Sequence, residues 1–215
     1  MMAKLLNRLI YKDYCHDLID CLITALEVRD VYTAGHSSRV SDMSFDLAQV
    51  LGLRGKNLMD VHMAAHVHDI GKIGISEAIL NKPEQLLPHE WKQIRLHSEI
   101  GYNILSKSNN INNIAIIVLY HHERWNGQGY PRGVKGDSIP LGSRIIAVAD
   151  SIDAMMSNRP YRRPLTWEQC RREVLLNRGL QFDPSVVEAA EELWTKWMGA
   201  VCYQEQPKAG SGIEA

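Results

Sequence analysis

Nine histidines in 215 residues are the first thing this sequence offers to chemistry. Imidazole is the commonest transition-metal ligand and the usual carrier of protons near neutral pH. His68 and Asp69 stand side by side at the predicted end of a helix, where no further turn covers them, so both can point at one ion. A single His-Asp pair says little, but its company says more: His36, His97, the doublet His121-His122, and Asp150. Asp150 sits among Ile145, Ile146, Val148, Ala149 and Ile152. A carboxylate without a partner in such surroundings is costly, and a metal ion removes the cost. Asp153 lies three residues on along the same helix face, giving two carboxylates in one direction. The competing reading pairs Asp150 with a buried arginine such as Arg39.

The four cysteines, Cys15, Cys21, Cys170 and Cys202, form no Cys-x-x-Cys pair. They suggest neither a zinc-thiolate site nor a disulfide framework, and reduced thiols in the cytoplasm are expected. A shell of imidazole and carboxylate without thiolate suits iron, manganese or zinc. Two further histidines, His62 and His66, are four apart on one helix face, a spacing that can chelate a metal. No Glu follows His62, however, and both are read as core-edge or surface residues. His16 and His89 receive no role.

These side chains need elements to hold them, and the periodicity supplies only helices. Helices are predicted over residues 14–28, 36–51 (stopping at Gly52) and 57–70 (ending at Gly71). Another opens at Pro88 and runs through Trp91, Ile94 and Leu96. The apolar stretch 112–120 leads into His121-His122-Glu123, followed by a loop rich in glycine and proline over 126–140. Residues 144–157 form a helix whose apolar residues nearly encircle it, so it should be central and buried. Helices over 166–177 and 184–197 follow. The expectation is an all-α, compact single-domain helical bundle with no internal repeat. Its boundaries are a cap or linker remnant over 1–17, the domain over 18–200, and a flexible tail over 201–215. The apolar fraction of 45% and charged fraction of 23% are those of an ordinary globular protein. A net charge of -1 speaks against a DNA-binding surface. The N-terminal apolar residues are interrupted by Asn7 and Arg8, too broken for a signal peptide or membrane span.

The motifs come in a definite order: Tyr32-Thr33-Ala34-Gly35-His36; His68-Asp69-Ile70-Gly71-Lys72; His121-His122-Glu123 running through Trp125 to Gly129-Tyr130-Pro131; Ala149-Asp150-Ser151-Ile152-Asp153; and Arg159-Pro160-Tyr161-Arg162. Together they resemble the HD-GYP family, the bacterial phosphodiesterases of the HD phosphohydrolase superfamily. The resemblance runs from about Leu18 to Leu193. It implies that His36, His68, Asp69 and Asp150 hold one metal, and that His97, His121 and His122 hold a second, with Asp69 bridging. It makes Asp69 and Lys72 catalytic, and it places Lys72 and Arg159 at the substrate phosphate. Asp153 and the Gly129-Tyr130-Pro131 loop are assigned to substrate binding with them.

The function implied is hydrolysis of cyclic di-GMP to pGpG, and onward to GMP. Two divalent transition metals, iron or manganese ahead of zinc, would generate the bridging hydroxide and clamp the phosphate. A hydrolase of another cyclic dinucleotide is the first alternative. The second is a noncatalytic module that binds the ligand or docks a partner protein on the Gly129-Tyr130-Pro131 loop. A second copy of the chain is among the partners considered, DNA and membrane are not. Trp125 is open to two readings, a platform for guanine or a core aromatic. Family members with a third metal carry a Glu four residues before the first metal-binding His. This chain has Tyr32 there, which favours two metals. Domains of this family usually follow a receiver or sensor domain, and residues 1–17 are too few for one.

Overall fold

The computed structural model describes residues 19, 21–29, 35–157 and 163–202. Tyr32, Arg159, the predicted cap over 1–17 and most of the predicted tail lie outside them. Ten helices are described in order: α1 (residues 21–29), α2 (His36–Val50), α3 (Gly55–His66), α4 (Glu77–Leu80), α5 (Pro88–Ile94), α6 (His97–Leu105), α7 (Asn112–Tyr120), α8 (Leu141–Met156), α9 (Trp167–Leu176) and α10 (Pro184–Cys202). The expected all-α class holds, because the β pairing among the described residues is an isolated bridge between Arg178 and Phe182. None of the described helices is long and apolar enough to cross a membrane.

Helix α8 is the axis of the molecule. Its Ile145, Ile146, Val148, Ala149 and Ile152 are each 1% exposed or less. They pack against α2, α3, α7, α9 and α10. Burying a valine or isoleucine side chain contributes about 1.5–3 kcal/mol, so four of them on one helix fix its position firmly. Val40, Leu47 and Ala48 of α2, Val61, Ala64 and Ala65 of α3, and Ile114, Ile117 and Val118 of α7 complete the core around it.

Several predicted boundaries move. The helix expected over 57–70 ends at His66, and the chain turns through Val67, His68 and Asp69 into a 3₁₀ turn over Ile70–Gly74. His68 and Asp69 therefore sit just beyond a helix end and not in its last turn. The helix expected from Pro88 through Leu96 ends at Ile94, the chain bends at Arg95-Leu96, and a further helix that the residue pattern did not give, α6, starts at His97. No glycine or proline marks that bend, so it left no trace in the residue pattern. Helix α10 runs on through Cys202, beyond the expected end at Trp197.

Candidate metal centre

Three helix C-termini deliver histidines to one place. The last carbonyls of a helix have no partner within it, and here side chains just past the ends take them. Nδ1 of His68 donates to the Ala65 carbonyl at the end of α3, at 2.7 Å. Nδ1 of His97 donates to Ile94 at the end of α5, also at 2.7 Å. Nδ1 of His121 donates to Val118 near the end of α7, at 2.6 Å. A carbonyl can only accept, so Nδ1 carries a proton in all three rings, and Nε2 is the nitrogen left to meet a metal, with its lone pair when the ring is neutral. His36, the first residue of α2, reaches the same tautomer by another route, since its Nδ1 donates to Asp153 Oδ2 at 2.7 Å. This is the arrangement that readies an imidazole for a metal. The negative ends of the helix dipoles also favour a cation there.

The freed donors converge as two groups. His36, His68 and Asp69 place one ligand atom each within 4.8 Å of one another, as do His97, His121 and His122. Asp69 stands between the groups: Oδ2 is 3.4 Å from His68 Nε2, and Oδ1 is 3.4 Å from His97 Nε2. Asp150 Oδ1 lies 3.4 Å from His36 Nε2, which adds a fourth donor to the first group. His68 Nε2 is buried without a hydrogen-bond partner. Buried nitrogens are rarely left so, and with Nε2 of His97 and His121 only 3.2 Å apart, the donor set fits metal ions.

The electrostatics divide along the same line. Burial lowers the His68 imidazole, but the charges of Asp69 and Asp150 outweigh it and push it up to about 9. Burial would raise the Asp69 carboxyl, yet Lys72, His68 and His97 hold it well below the usual carboxylate range. In the second group burial dominates, and with Lys72 and the neighbouring imidazoles it pushes His97, His121 and His122 down. One side therefore attracts positive charge, while the other keeps its imidazoles neutral and ready to donate lone pairs.

A model of the HD domain family matches residues 20–186. A cyclic di-GMP phosphodiesterase of Thermotoga maritima is 43% identical over 181 residues, covering 83% of this chain and 49% of that protein. A 3'3'-cGAMP-specific phosphodiesterase of Vibrio cholerae is 37% identical over 184 residues, covering 85% of this chain and 35% of that protein. The chain belongs to the HD domain family, in its HD-GYP branch. It spans half or less of the length of these curated relatives. A solved cyclic GMP-AMP specific phosphodiesterase of V. cholerae shares the HD-GYP fold at a TM-score of 0.62 and 23% identity, over 82% of this chain and 47% of that one.

Within this HD-GYP chain the two aspartates of α8 have separate duties. Asp150 faces the histidines, its side chain 21% exposed. Asp153 is the buried one, at 4%. Arg39 Nε donates to its Oδ1 at 2.5 Å, while His36 and Ser157 Oγ donate to Oδ2 at 2.7 and 3.1 Å. The arginine considered as a partner for Asp150 thus belongs to Asp153. Asp153, expected at the substrate, has its oxygens taken by Arg39, His36 and Ser157 and stands behind His36. The spacing of His36 and Arg39 on one helix face was the available signal for that pairing.

Lys72 Nζ is 2.8 Å from Asp69 Oδ2, three residues along the chain. Tyr130 packs on His122 with ring centroids 4.8 Å apart. Burial and the charges of Asp69 and Asp150 push its phenol up, so it stays un-ionised. Gly129 and Pro131 flank it in the same turn, across a cis Tyr130-Pro131 bond. Trp125 is half-buried on the other side of the loop, where the Arg144 guanidinium lies 5.5 Å from its ring centre. His62 and His66 belong to neither donor group: their rings meet edge to face at 4.8 Å, and His62 Nδ1 bonds Ser41 Oγ at 2.8 Å. Glu123, which accepts from the Arg132 and Gly133 backbone, and Arg95, over the Tyr130 ring, were given no role by the sequence.

Proposed function

We propose that this chain is a metal-dependent phosphodiesterase of cyclic dinucleotides, with cyclic di-GMP as its first substrate and pGpG as its product. The observation that carries the reading is Asp69, with one oxygen toward each of two donor groups. His36, His68, Asp69 and Asp150 would hold one divalent ion, and His97, His121 and His122 with Asp69 a second. The imidazole and carboxylate set suits iron or manganese, with zinc third. Such a pair, when bound, lowers the pKa of water and draws charge from the phosphate.

The chain's own residues do the rest. His36, held by Asp153 and Arg39, keeps Nε2 aimed at Asp150 and Asp69. Lys72 brings a cation to the edge of Asp69, where nonbridging phosphate oxygens gain charge in the transition state. Arg159, outside the described residues, supplies a donor fork suited to the same phosphate. In the reaction a water oxygen bonds to phosphorus and the bond to the ribose 3' oxygen breaks. One water proton ends on that oxygen and the other leaves. Further cleavage to GMP repeats this at the remaining diester. The scattered thiols suit a cytoplasmic setting.

The test is product chromatography with cyclic di-GMP, 3'3'-cGAMP and cyclic di-AMP, using protein loaded anaerobically with Fe²⁺ or Mn²⁺. Cyclic di-GMP cleavage that stops on chelation and returns with metal is expected. Preferred cleavage of cGAMP, the substrate named for several relatives, would reassign the base. Ligand binding without turnover by the loaded protein would make this a signalling module.

A further inference from the structure

The Gly129-Tyr130-Pro131 turn lies nearer His122 than His97, with the Tyr130 ring 4.8 Å from the first and 6.5 Å from the second. His36, His68, His97 and His121 each have Nδ1 tied to an acceptor. The His122 ring has no hydrogen bond among the described residues. Its orientation has to come from packing: the His121 and His97 rings lie 4.0 and 4.9 Å from it, and the turn closes over it from Tyr130.

Tyr130 lies over His122 at 4.8 Å with the rings tilted by 32°. The backbone N–H of Tyr130 donates to the His122 carbonyl at 3.2 Å. Glycine is required beside it, because a β-carbon at Gly129 would sit 2.3 Å from the Arg124 nitrogen and 2.6 Å from the His122 oxygen. Beyond the proline, Arg132 and Gly133 donate backbone N–H groups to Glu123 Oε1 at 2.6 and 3.0 Å. That carboxylate is 3% exposed, so the anchor is internal. Residues 129–133 are therefore stitched to residues 122–124 by backbone contact, by hydrogen bonds and by the ring. Just past the end of α5, the Arg95 guanidinium lies 5.2 Å from the Tyr130 ring centre, a cation–π contact.

We propose that Tyr130 is a positioning residue, whose ring, backed by Arg95, holds the His122 imidazole in place for its metal as the carbonyls hold the other rings. The proposal rests on the reading of His97, His121 and His122 as a metal-binding group. Supports of this kind typically change metal affinity by about 10–100-fold when removed. A turn that instead touched substrate would change KM and leave metal affinity alone.

The experiment titrates the metal-free full chain with Mn²⁺ against a competing chelator and counts bound metal by elemental analysis. Tyr130→Ala is expected to weaken one of two Mn²⁺ ions by about 10–100-fold and to leave the other unchanged. Tyr130→Phe, which keeps the ring, should bind both ions within a few-fold of the unmodified chain. Arg95→Gln, at an exposed position, should weaken the same ion by a smaller factor. Circular dichroism and thermal melts of the metal-free variants check folding. If Tyr130→Ala does not fold, Arg95→Gln decides: no loss of affinity overturns the proposal. Unchanged Mn²⁺ affinity in a folded Tyr130→Ala chain overturns it, as does Tyr130→Phe binding as weakly as Tyr130→Ala. If His97→Ala and His122→Ala also bind both ions normally, the metal-binding reading of the group has itself failed, and the proposal falls with it.

Discussion

A β-carbon on Gly71 would lie 1.8 Å from the carbonyl oxygen of His97 and 2.5 Å from the Gly101 nitrogen. The 3₁₀ turn after His68-Asp69 and the first turn of α6 thus touch backbone to backbone. That contact sets the distance between Asp69 and His97.

Gly71→Ala is accordingly expected to destabilise the fold and to part the two donor groups. Overpacking a core typically costs about 1–3 kcal/mol, and rigid backbone cannot yield as a side chain does. Urea unfolding and metal analysis check this: an unchanged midpoint with full metal content would contradict it.

Asp153→Asn should lower turnover and metal affinity by roughly 10–100-fold, because the carboxylate that orients His36 loses its charge. Asp150→Asn should act on metal content directly, since Asp150 faces the site. Comparing the metal content of the two purified variants separates a support from a ligand.

The positions of His36, His68, His97 and the His121-His122 doublet were legible because few other roles bring so many imidazoles into one domain. The division of labour on α8 was not. Spacing puts Asp150 and Asp153 on one face, but only tertiary packing decides which faces the histidines and which meets Arg39 on α2. The bend at Arg95-Leu96 was hidden for a similar reason. The apolar pattern runs on across it, and what ends α5 is the need to bring His97 beside Gly71. Burial of α8 was plain, because a helix apolar nearly all round has no face to give to water.

Asp69→Ala should abolish hydrolysis, since the lost carboxylate faces both donor groups. Turnover measured with saturating metal checks this, and a rate within tenfold of the unmodified chain would refute the bridging role.

His62→Ala and His66→Ala should keep turnover per folded, metal-loaded chain within a few-fold. Their rings pack on each other outside both donor groups. Loss of activity at normal metal content in either variant would place them in the site.

Two metals per chain are expected from elemental analysis. At position 32 a phenol with a pKa near 10 is a poor ligand at neutral pH, whereas a carboxylate is already ionised. Tyr32→Glu should raise the count to three. A third ion at full occupancy in the unmodified chain would show that the carboxylate is dispensable.

The carbonyl anchors of His68, His97 and His121 have a consequence for inheritance. A backbone carbonyl is present whatever the side chain, so no substitution at Ala65, Ile94 or Val118 can delete those acceptors. Drift can reach the rings only through residues whose side chain, or lack of one, does the holding. Those are Asp153 with Arg39 behind His36, Tyr130 with Arg95 over His122, and the glycines at 71 and 129. On the proposed reading, these positions can change and silence the centre while His36, His68, Asp69, His97, His121, His122 and Asp150 all stay in place.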